Sequence, residues 1–434
     1  MDKKILDKKI VAPTRLKGMK DIKGEEYYQL QGMFEKAQEI AEYYGFKPLE
    51  TPILERLDVF EKAIGDETDI MEKEIYSFSV KGSDKLAMRP EYTAGIVRHY
   101  IEEGLNSEPQ PILFYSYGQV FRHENSQRGR LREFRQFNLE ILGSEKSIAD
   151  AIIIRTTYDI LEEFGLKDLV VDINSMGDKD SRQAYIKELT NYYKKHIITM
   201  CKDCNNRLKT NPLRLLDCKK EECQPMKDKA PQSINFLSTD ARKHFKELLQ
   251  YLEEMDIPFR INPTLVRGLD YYSRTVFEVV QNITDDEGNK KELTICGGGR
   301  YDMSKQLGSR KEIPSVGTGV GFDRILLMPE CTKITPKILK APKFYFIQLG
   351  FEAKLKSLNI METMRKAHIS VRQNLSKDSI SVQLATAEDM KIPYAIIFGQ
   401  KEAMDSTVII RDMKTQSQDT IKIANLCEYL KKLK

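Results

Sequence analysis

The stretch from Leu265 to Glu278 constrains the fold of this chain most strongly, because it places charged side chains inside an apolar, strand-like segment. Val276 and Phe277 suit a buried strand, whereas Arg267-Gly268-Leu269-Asp270 interrupts that pattern. Glycine permits a close approach of the backbone, and an arginine placed there needs an anion or water. The stretch therefore predicts either an anion-binding site or the salt-bridged start of a strand.

Chain length and segment patterns predict a protein of several domains. With 434 residues, 41% of them apolar, the chain is long enough for two or three cores. Two helical stretches flank a cysteine-bearing segment, which we interpret as a mainly helical insertion at 178–256. Proline-rich sequence without periodicity predicts a linker at 330–342. Alternating strand and helix patterns then predict a small α/β module at 343–434.

Composition limits where the protein is expected to be located in the cell and which partners it is expected to bind. The chain has no run of apolar residues long enough for a membrane span and no signal-peptide pattern, which predicts a cytoplasmic protein without membrane contact. Its 7 cysteines, an odd number, indicate reduced thiols or a metal rather than a disulfide framework. From 341 to 434 there are 15 Lys and Arg against 10 Asp and Glu, and this C-terminal excess fits a phosphate-backbone partner.

Two strand-like segments enclose a basic loop. Phe114–Phe121 and Phe134–Leu142 are joined by Arg122-His123-Glu124 and by a polar loop that carries Arg128, Arg130 and Arg132. Because side chains alternate along a strand, Gln136, Asn138 and Glu140 share one face. That polar face predicts either a solvated sheet surface or the floor of a ligand site, and the arginines beside it suit phosphate or carboxylate groups.

Two further junctions carry candidate residues. Glu91-Tyr92-Thr93 follows a predicted hairpin and begins a helix, where Glu91 and Thr93 either cap the helix or hold an ammonium group. The cap is favoured. Phe46–Glu55 alternates as a strand with two prolines, and proline in a strand indicates an edge or an interface, so Pro52 marks a candidate dimer surface.

Glycine-rich sequence follows the opening stretch twice. Gly297-Gly298-Gly299 ends a predicted strand and predicts a turn, and it lacks the spacing of a dinucleotide-binding or phosphate-binding loop. Between Val316 and Arg324, small residues alternate before a helix. This alternation predicts either a strand on which a flat group can lie or a tightly packed turn from strand to helix.

Four cysteines in the predicted insertion have a spacing close to that of zinc sites. Cys201, Cys204, Cys218 and Cys223 form the pattern C-x2-C-x13-C-x4-C. Their second pair is separated by four residues rather than two. Reduced, unliganded thiols are therefore favoured over a structural zinc.

The segments together resemble the histidyl-tRNA synthetase family, of the class II aminoacyl-tRNA synthetases, along nearly the whole chain. Leu265–Tyr272 looks like the histidine-binding signature of the family, Phe121–Glu124 with Arg130 looks like motif 2, Gly319–Arg324 looks like motif 3, and Pro52 lies where motif 1 places its interface proline. The resemblance implies an α+β catalytic core (1–177 and 257–329) built on an antiparallel sheet flanked by helices, with a C-terminal α/β anticodon-binding domain.

Site residues follow from the resemblance only where the residues match. As catalytic residues it implies Arg267 and Arg122. For histidine binding it implies Glu91, Tyr92, Thr93, Arg122, Gln136, Glu140, Arg267, Tyr271 and Tyr272. For ATP binding it implies Arg122, Glu124, Arg130, Phe134 and Arg324.

The resemblance further implies a reaction and its partners. Histidine, ATP with Mg²⁺ and a histidine tRNA would be brought together by a homodimer, first forming histidyl-adenylate and pyrophosphate and then charging the 3′-terminal adenosine. The attacking carboxylate is already ionised, so the chemistry needs positive charge at the phosphate rather than a general base. Two alternatives are a non-catalytic regulatory paralogue of an ATP phosphoribosyltransferase complex and an RNA-binding scaffold with a dead site.

Overall fold

The computed structural model describes residues 12–65, 68, 70–82, 84–125, 130–269, 271–284, 290–336, 342–373 and 379–433. The chain divides into two compact units, Met1–Pro336 and Lys337–Lys434, each described here by itself. The division falls inside the segment 330–342 that was predicted as a linker. The first part of that segment belongs to the first unit, since Cys331 and Ile334 pack on its core. In the described part, no helix has the length and apolar content that crossing a bilayer requires.

An eight-stranded sheet organises the first unit. Its order is β1-β5-β6-β11-β10-β9-β7-β8, and β2-β4-β3 form a separate antiparallel sheet. Only the edge pairs β1–β5 and β7–β8 are parallel, so the predicted antiparallel core is confirmed. The strands are β1 (Lys47–Pro48), β2 (Leu54–Arg56), β3 (Ser77–Ser79), β4 (Lys85–Met88), β5 (Ile112–Phe121), β6 (Glu133–Leu142), β7 (Leu169–Ser175), β8 (Phe259–Ile261), β9 (Tyr272–Thr284), β10 (Lys290–Tyr301) and β11 (Ser315–Gly321).

Helices cover one face of the large sheet. On α1, Leu30, Met33, Ala37 and Ala41 recur at helical spacing and are buried with side chains of α4, α8 and the sheet. Phe137, Leu139 and Ile141 of β6 point into the same core, as the alternation predicts. The helices are α1 (Gly24–Tyr43), α2 (Leu57–Ile64), α3 (Thr93–Glu102), α4 (Ser147–Glu163), α5 (Lys179–Lys194), α6 (Lys202–Thr210), α7 (Gln224–Asp228), α8 (Thr239–Glu254) and α9 (Phe322–Ile325).

The strand predicted over Phe46–Glu55 is wrong as a single element. The chain forms β1 at the edge of the large sheet and β2 in the small sheet, and Pro52 lies exposed between them. Thr51 is buried beside it, and its carbonyl accepts a hydrogen bond from Arg89 Nη1 at 2.5 Å. Proline here separates two strands because it cannot donate to either ladder.

The turn predicted at Gly297-Gly298-Gly299 is also wrong. All three glycines lie inside β10, which pairs with β9 on one side and β11 on the other. A Cβ on Gly298 would lie 2.0 Å from the carbonyl oxygen of Gly317. The glycines here allow β10 and β11 to approach each other closely, and the chain does not reverse at them.

The predicted insertion divides between two hydrophobic clusters. Residues from Met176 to Phe236 form a cluster of their own, together with Leu265, Val266 and Val276. Helix α8, which the predicted boundary at 256 assigns to the insertion, instead packs its apolar face on α4 and the sheet. Its side chains Ala241, Phe245, Leu248 and Leu252 recur on one helical face, and that face belongs to the main core.

The second unit is the predicted α/β module. Its sheet has the order β13-β12-β14-β15-β16, parallel from β13 to β14 and antiparallel beyond. Side chains of β12 alternate between two cores, with Phe344 and Phe346 on one face and Tyr345 and Ile347 on the other. The elements are β12 (Phe344–Gln348), α10 (Phe351–Lys366), β13 (Val371–Gln373), α11 (Ile380–Asp389), β14 (Tyr394–Phe398), α12 (Gln400–Asp405), β15 (Thr407–Asp412), β16 (Gln418–Lys422) and α13 (Leu426–Lys432).

Candidate active site

A cleft of about 330 Å³ lies on the sheet face opposite the helical core. Its volume is in the range of small-molecule sites. Strands β6, β10 and β11 form its floor. The lining brings together all four arginines predicted as site residues, which are Arg122, Arg130, Arg267 and Arg324. The other predicted residues in the lining are Glu91, Thr93, Glu124, Phe134, Gln136, Tyr271 and Tyr272.

The start of α3 supplies one wall of the cleft. The carboxylate of Glu91 accepts hydrogen bonds from the backbone N–H groups of Thr93 at 2.5 Å and Ala94 at 2.8 Å. The predicted cap is therefore confirmed, and Glu91 also lines the cleft. Burial raises the pKa of Glu91, and the two N–H donors oppose that shift.

Tyr92 does not line the cleft, and the structure does not bring it together with the other residues predicted to bind histidine. Its side chain is fully buried in a second hydrophobic cluster. The guanidinium of Arg89 lies 4.2 Å from the centroid of its ring. At the first turn of α3 successive side chains point in different directions, so Glu91 and Thr93 face the cleft while Tyr92 faces the core.

Glu140 does not line the cleft itself but lies behind its deep end, where it contacts the lining residues Thr93 and Tyr301. Its side chain is 1% exposed, and its carboxylate accepts hydrogen bonds from Thr93 Oγ1 and from the Tyr301 hydroxyl, both at 2.7 Å. Burial raises the pKa of Glu140 to about 8, although both hydrogen bonds lower it. Such a carboxyl exchanges a proton near neutral pH, which suits a partner that can carry either zero or one proton.

Polar atoms on the cleft floor have no partner in the described part of the chain. Gln136 Oε1 and Asn138 Oδ1 are buried and make no hydrogen bond there. Buried polar groups in native proteins nearly always find a partner. The floor is therefore complementary to a ligand that brings its own donors.

Glycines in β11 make room for the long side chains of β6. Gly317 pairs with Glu140 across the ladder, and a Cβ on it would lie 1.7 Å from Glu140 Oε2. A Cβ on Gly319 would lie 1.8 Å from Gln136 Nε2. The alternation of small residues predicted from the sequence thus lets polar side chains lie flat over the strand.

Arg122 is held at the end of β5 by three neighbours. Its Nε donates to the carbonyl of Pro90 at 2.8 Å, and its guanidinium lies 5.4 Å from the centroid of the Phe134 ring. Its Nη1 is 3.9 Å from Glu124 Oε1. The carboxylate of Glu124 also lies 3.6 Å from Arg130 Nη1. One acid therefore stands between two cations, which leaves the group net positive.

Arg324 adds a further positive charge from helix α9. Burial lowers its pKa, and the charge of Arg130 lowers it further. Within the described residues Arg324 makes no ion pair shorter than 4.0 Å. Two arginines that repel each other across an open cleft are stabilised by an anion between them.

Arg267 lies on the opposite side, where its Nη1 donates to Glu278 Oε1. Thr294 Oγ1 donates to the other oxygen of Glu278 at 3.0 Å. A Cβ on Gly297 would lie 2.6 Å from Arg267 Nη1. The salt bridge predicted as one alternative is therefore present, and Arg267 lines the cleft as well. Asp270, which the signature also contains, lies outside the described residues.

Three tyrosines complete the deep end. The ring centroids of Tyr271 and Tyr272 are 4.7 Å apart, and those of Tyr271 and Tyr301 are 5.5 Å apart. Burial raises the pKa of all three hydroxyls, so they remain protonated donors at neutral pH.

Several site residues escaped sequence reasoning. Tyr301, Glu278, Thr294 and Gly317 all contact predicted site residues, yet none was predicted to do so. Extending β10 through its glycines would have identified Tyr301 as a strand residue beside the floor. Glu278 interrupts the apolar run Val276–Val280, and this interruption was the signal for a charged partner beside the strand.

Exposure rises from one end of the site to the other. Glu140 is 1% exposed, while the Arg130 side chain is 51% exposed. The buried end presents hydrogen-bonding groups of fixed geometry, and the open end presents positive charge. This arrangement can hold a small polar molecule inside and an anionic one at the mouth.

Comparisons with known proteins agree with this geometry. A sequence profile described as "Histidyl-tRNA synthetase" matches residues 18–325, and one described as "Anticodon binding domain" matches 343–433. The chain is 37% identical over 424 residues to Histidine--tRNA ligase of Caldicellulosiruptor bescii, covering 98% of this chain and 99% of the relative. It is 38% identical over 416 residues to Histidine--tRNA ligase of Clostridioides difficile, covering 96% and 98%.

A solved structure gives the same result for the fold. Apo S. aureus histidyl-tRNA synthetase superimposes with a TM-score of 0.78 at 29% identity, covering 97% of this chain and 100% of that one. The first profile alone spans more than half of the chain. The chain therefore belongs to the histidyl-tRNA synthetase family.

Proposed function

We propose that this protein joins L-histidine to its tRNA in two steps, using ATP. The observation that carries the proposal is the convergence, in one cleft, of a buried hydrogen-bonding end around Glu140 and an open end with four arginines. A regulatory paralogue or an RNA-binding scaffold would need neither. Both alternatives are disfavoured, because the chain keeps the arginines and the second unit.

Histidine is placed with its imidazole at the deep end. Glu140 and Tyr272 would pair with the two ring nitrogens, and Tyr271 would pack beside the ring. Glu91, Thr93 and Gln136 would hold the ammonium group, which supplies the donors that the floor lacks. A pocket of this kind rejects other amino acids because they leave its buried polar groups unpaired, which gives roughly 10⁴–10⁵ discrimination.

ATP is placed at the open end. Glu124, Arg130, Phe134 and Arg324 would bind it, with the adenine stacked on Phe134. Mg²⁺ takes few protein carboxylates beside phosphate oxygens and water, and Glu124 is a carboxylate in the open part of the lining. When bound, Mg²⁺ would neutralise part of the charge on the phosphates.

The first step is displacement at the α-phosphorus. A carboxylate oxygen of histidine attacks, a new O–P bond forms, and the bond to the pyrophosphate oxygen breaks, so that pyrophosphate leaves with the electron pair. Arg122 and Arg267 act as the catalytic residues by stabilising negative charge on the phosphoryl oxygens. No proton has to move, because the attacking carboxylate is ionised at neutral pH.

The second step is transfer to tRNA. A hydroxyl of the 3′-terminal ribose attacks the carbonyl carbon of histidyl-adenylate, AMP leaves, and the hydroxyl proton passes to the departing phosphate or to water. The second unit would read the anticodon, which fits the positive charge of its sequence and its match to an anticodon-binding domain. The proposal places the protein in the cytoplasm, with its tRNA.

A homodimer is part of the proposal. Ile53, Leu54 and Phe78 are each more than 40% exposed; Leu54 and Phe78 lie in the small sheet, and Ile53 links it to Pro52. An exposed apolar group of this kind fits a subunit interface. Sedimentation of the wild-type chain and of Leu54→Glu tests it, and a wild-type monomer at micromolar concentration would contradict it.

Amino-acid-dependent exchange of pyrophosphate into ATP tests the activity. We expect exchange with histidine and at most trace exchange with the other amino acids. Absence of exchange with histidine, or faster exchange with another amino acid, would refute the assignment. Charging of a histidine tRNA transcript then tests the second step separately.

A further inference from the structure

The four cysteines of the predicted insertion meet in space. One sulfur atom from each of Cys201, Cys204, Cys218 and Cys223 lies within 4.8 Å of the other three. Cys201 precedes α6 and Cys204 lies in its first turn, while Cys218 precedes the short helical turn Glu221–Cys223 and Cys223 is its last residue. That turn folds the thiols of Cys218 and Cys223 back towards each other. Two cysteines separated by four residues can therefore contribute to one metal site.

The distance between two of the sulfur atoms matches a tetrahedral metal site. Four sulfurs at a zinc–sulfur distance of about 2.3 Å are about 3.8 Å apart at the corners of a tetrahedron. Cys201 Sγ and Cys218 Sγ are 3.9 Å apart. A disulfide needs about 2.05 Å between two sulfurs and gives no reason for a second pair to converge on the first.

Backbone N–H groups point at two of the four sulfur atoms. The backbone N–H of Cys204 donates to Cys201 Sγ, and the backbone N–H of Cys201 donates to Cys223 Sγ, both at 3.4 Å. Cys204, Cys218 and Cys223 are buried, and Cys201 is half-buried. Between 201 and 229 there are 8 Lys and Arg against 5 Asp and Glu, an excess that offsets the negative charge of a four-thiolate site.

We infer that Cys201, Cys204, Cys218 and Cys223 bind one zinc ion that holds together the segment from Cys201 to Cys223. Four sulfur ligands in a tetrahedron select zinc or an iron–sulfur cluster. Between Cys201 and Cys223 the chain forms one α-helix, α6 of 9 residues, followed by short helical turns. A metal that joins both ends of this segment would stabilise it, as in small domains that fold on zinc.

The inferred site supports the wall of the cleft. Leu213, Leu215 and Leu216, which lie between the two cysteine pairs, share a hydrophobic cluster with Leu265 and Val266. Those two residues directly precede Arg267. Zinc would therefore fix the surface against which the arginine is positioned. This inference does not depend on the proposed reaction.

Metal analysis of the full-length protein, purified under reducing conditions, tests the inference. We expect about one equivalent of zinc in the wild type and less than about a tenth in Cys201→Ser. Serine is a favoured residue at the start of a helix, so Cys201→Ser keeps the cap of α6 while it removes one ligand. Cys427→Ser, which changes a half-buried thiol in the second unit, should retain zinc.

A spectroscopic measurement on the wild type tests the inference even if the cysteine variants fail to fold. Metal-free protein titrated with Co²⁺ should show the charge-transfer and visible bands of a tetrahedral cobalt–thiolate site, saturating at one equivalent. Any of four results would overturn the inference: no zinc and no Co²⁺ bands under reducing conditions, iron with sulfide in place of zinc, a disulfide within the four cysteines, or equal zinc in Cys201→Ser and wild type.

Discussion

Arg267 has two possible roles, and a pair of substitutions separates them. Its Nη1 donates to Glu278, and each of the two side chains is 22% exposed. Arg267 either stabilises the reacting phosphate or only neutralises Glu278 beside it. In Arg267→Gln both roles are lost. In Arg267→Gln combined with Glu278→Gln, the unpaired acid is removed and only the role at the phosphate remains missing.

The two effects have different expected sizes. Leaving Glu278 without its charged partner should cost about 1–3 kcal/mol of stability, moderated because Thr294 still donates to it. Losing one cation at the developing negative charge should lower the rate of adenylate formation by about 10²–10³, or about 2.7–4 kcal/mol. The double variant should therefore recover stability and remain slow.

Pyrophosphate exchange measures the rate, urea denaturation measures stability, and filter binding measures tRNA affinity, which should stay nearly unchanged. Arg260→Gln is the matched control, because Arg260 pairs with Asp172 and Glu292 at the far edge of the same sheet. It should lose stability without a comparable loss of rate. Recovery of exchange in the double variant to within about tenfold of Glu278→Gln would show that Arg267 acts only through Glu278, refuting its role at the phosphate.

Three further predictions follow from the deep end and from the core. With the pKa of Glu140 raised to about 8 and that of free imidazole near about 6.5, the pair already shares one proton between these values. Calorimetry should therefore show the highest affinity for histidine between these two pH values and a lower affinity below and above them. Glu140→Gln should abolish the loss of affinity at alkaline pH. An unchanged dependence of affinity on pH in this variant would contradict contact between Glu140 and the imidazole. Gly317→Ala should raise the KM for histidine by about 10², because the added Cβ displaces Glu140, while Gly321→Ala, with open space around it, should leave KM unchanged; equal effects would refute the steric reason. Asp150→Asn should lose about 3–5 kcal/mol of stability by urea denaturation, because it breaks a fully buried pair with Arg300; a loss below about 1 kcal/mol would contradict this.

Local pattern was enough for the parts of this fold that depend on side-chain direction alone. The alternation along β6 correctly separates Phe137 and Leu139, in the core, from Gln136 and Asn138, on the cleft floor. Strand parity alone decides this, so no knowledge of neighbours is needed. The apolar spacing of α1 predicts its buried face for the same reason.

Local pattern failed where a residue's conformation depends on its neighbours in space. The glycine run in β10 has the composition of a turn, but it pairs on both sides within a sheet. Tyr92 stands between two cleft residues in sequence, and the first turn of α3 directs it into the core. Propensity is a weak prior when tertiary pairing competes with it.

The sequence by itself determined the family resemblance, the polar face of β6 and the chemical types of the site residues, because these depend on residue identity and short spacing. Only the tertiary structure decided which groups meet. Tyr301 reaches Glu140 from 161 positions away, and four cysteine sulfurs converge although their spacing argued against a metal. Such contacts depend on strand register and loop closure between distant segments, which residue types alone do not specify.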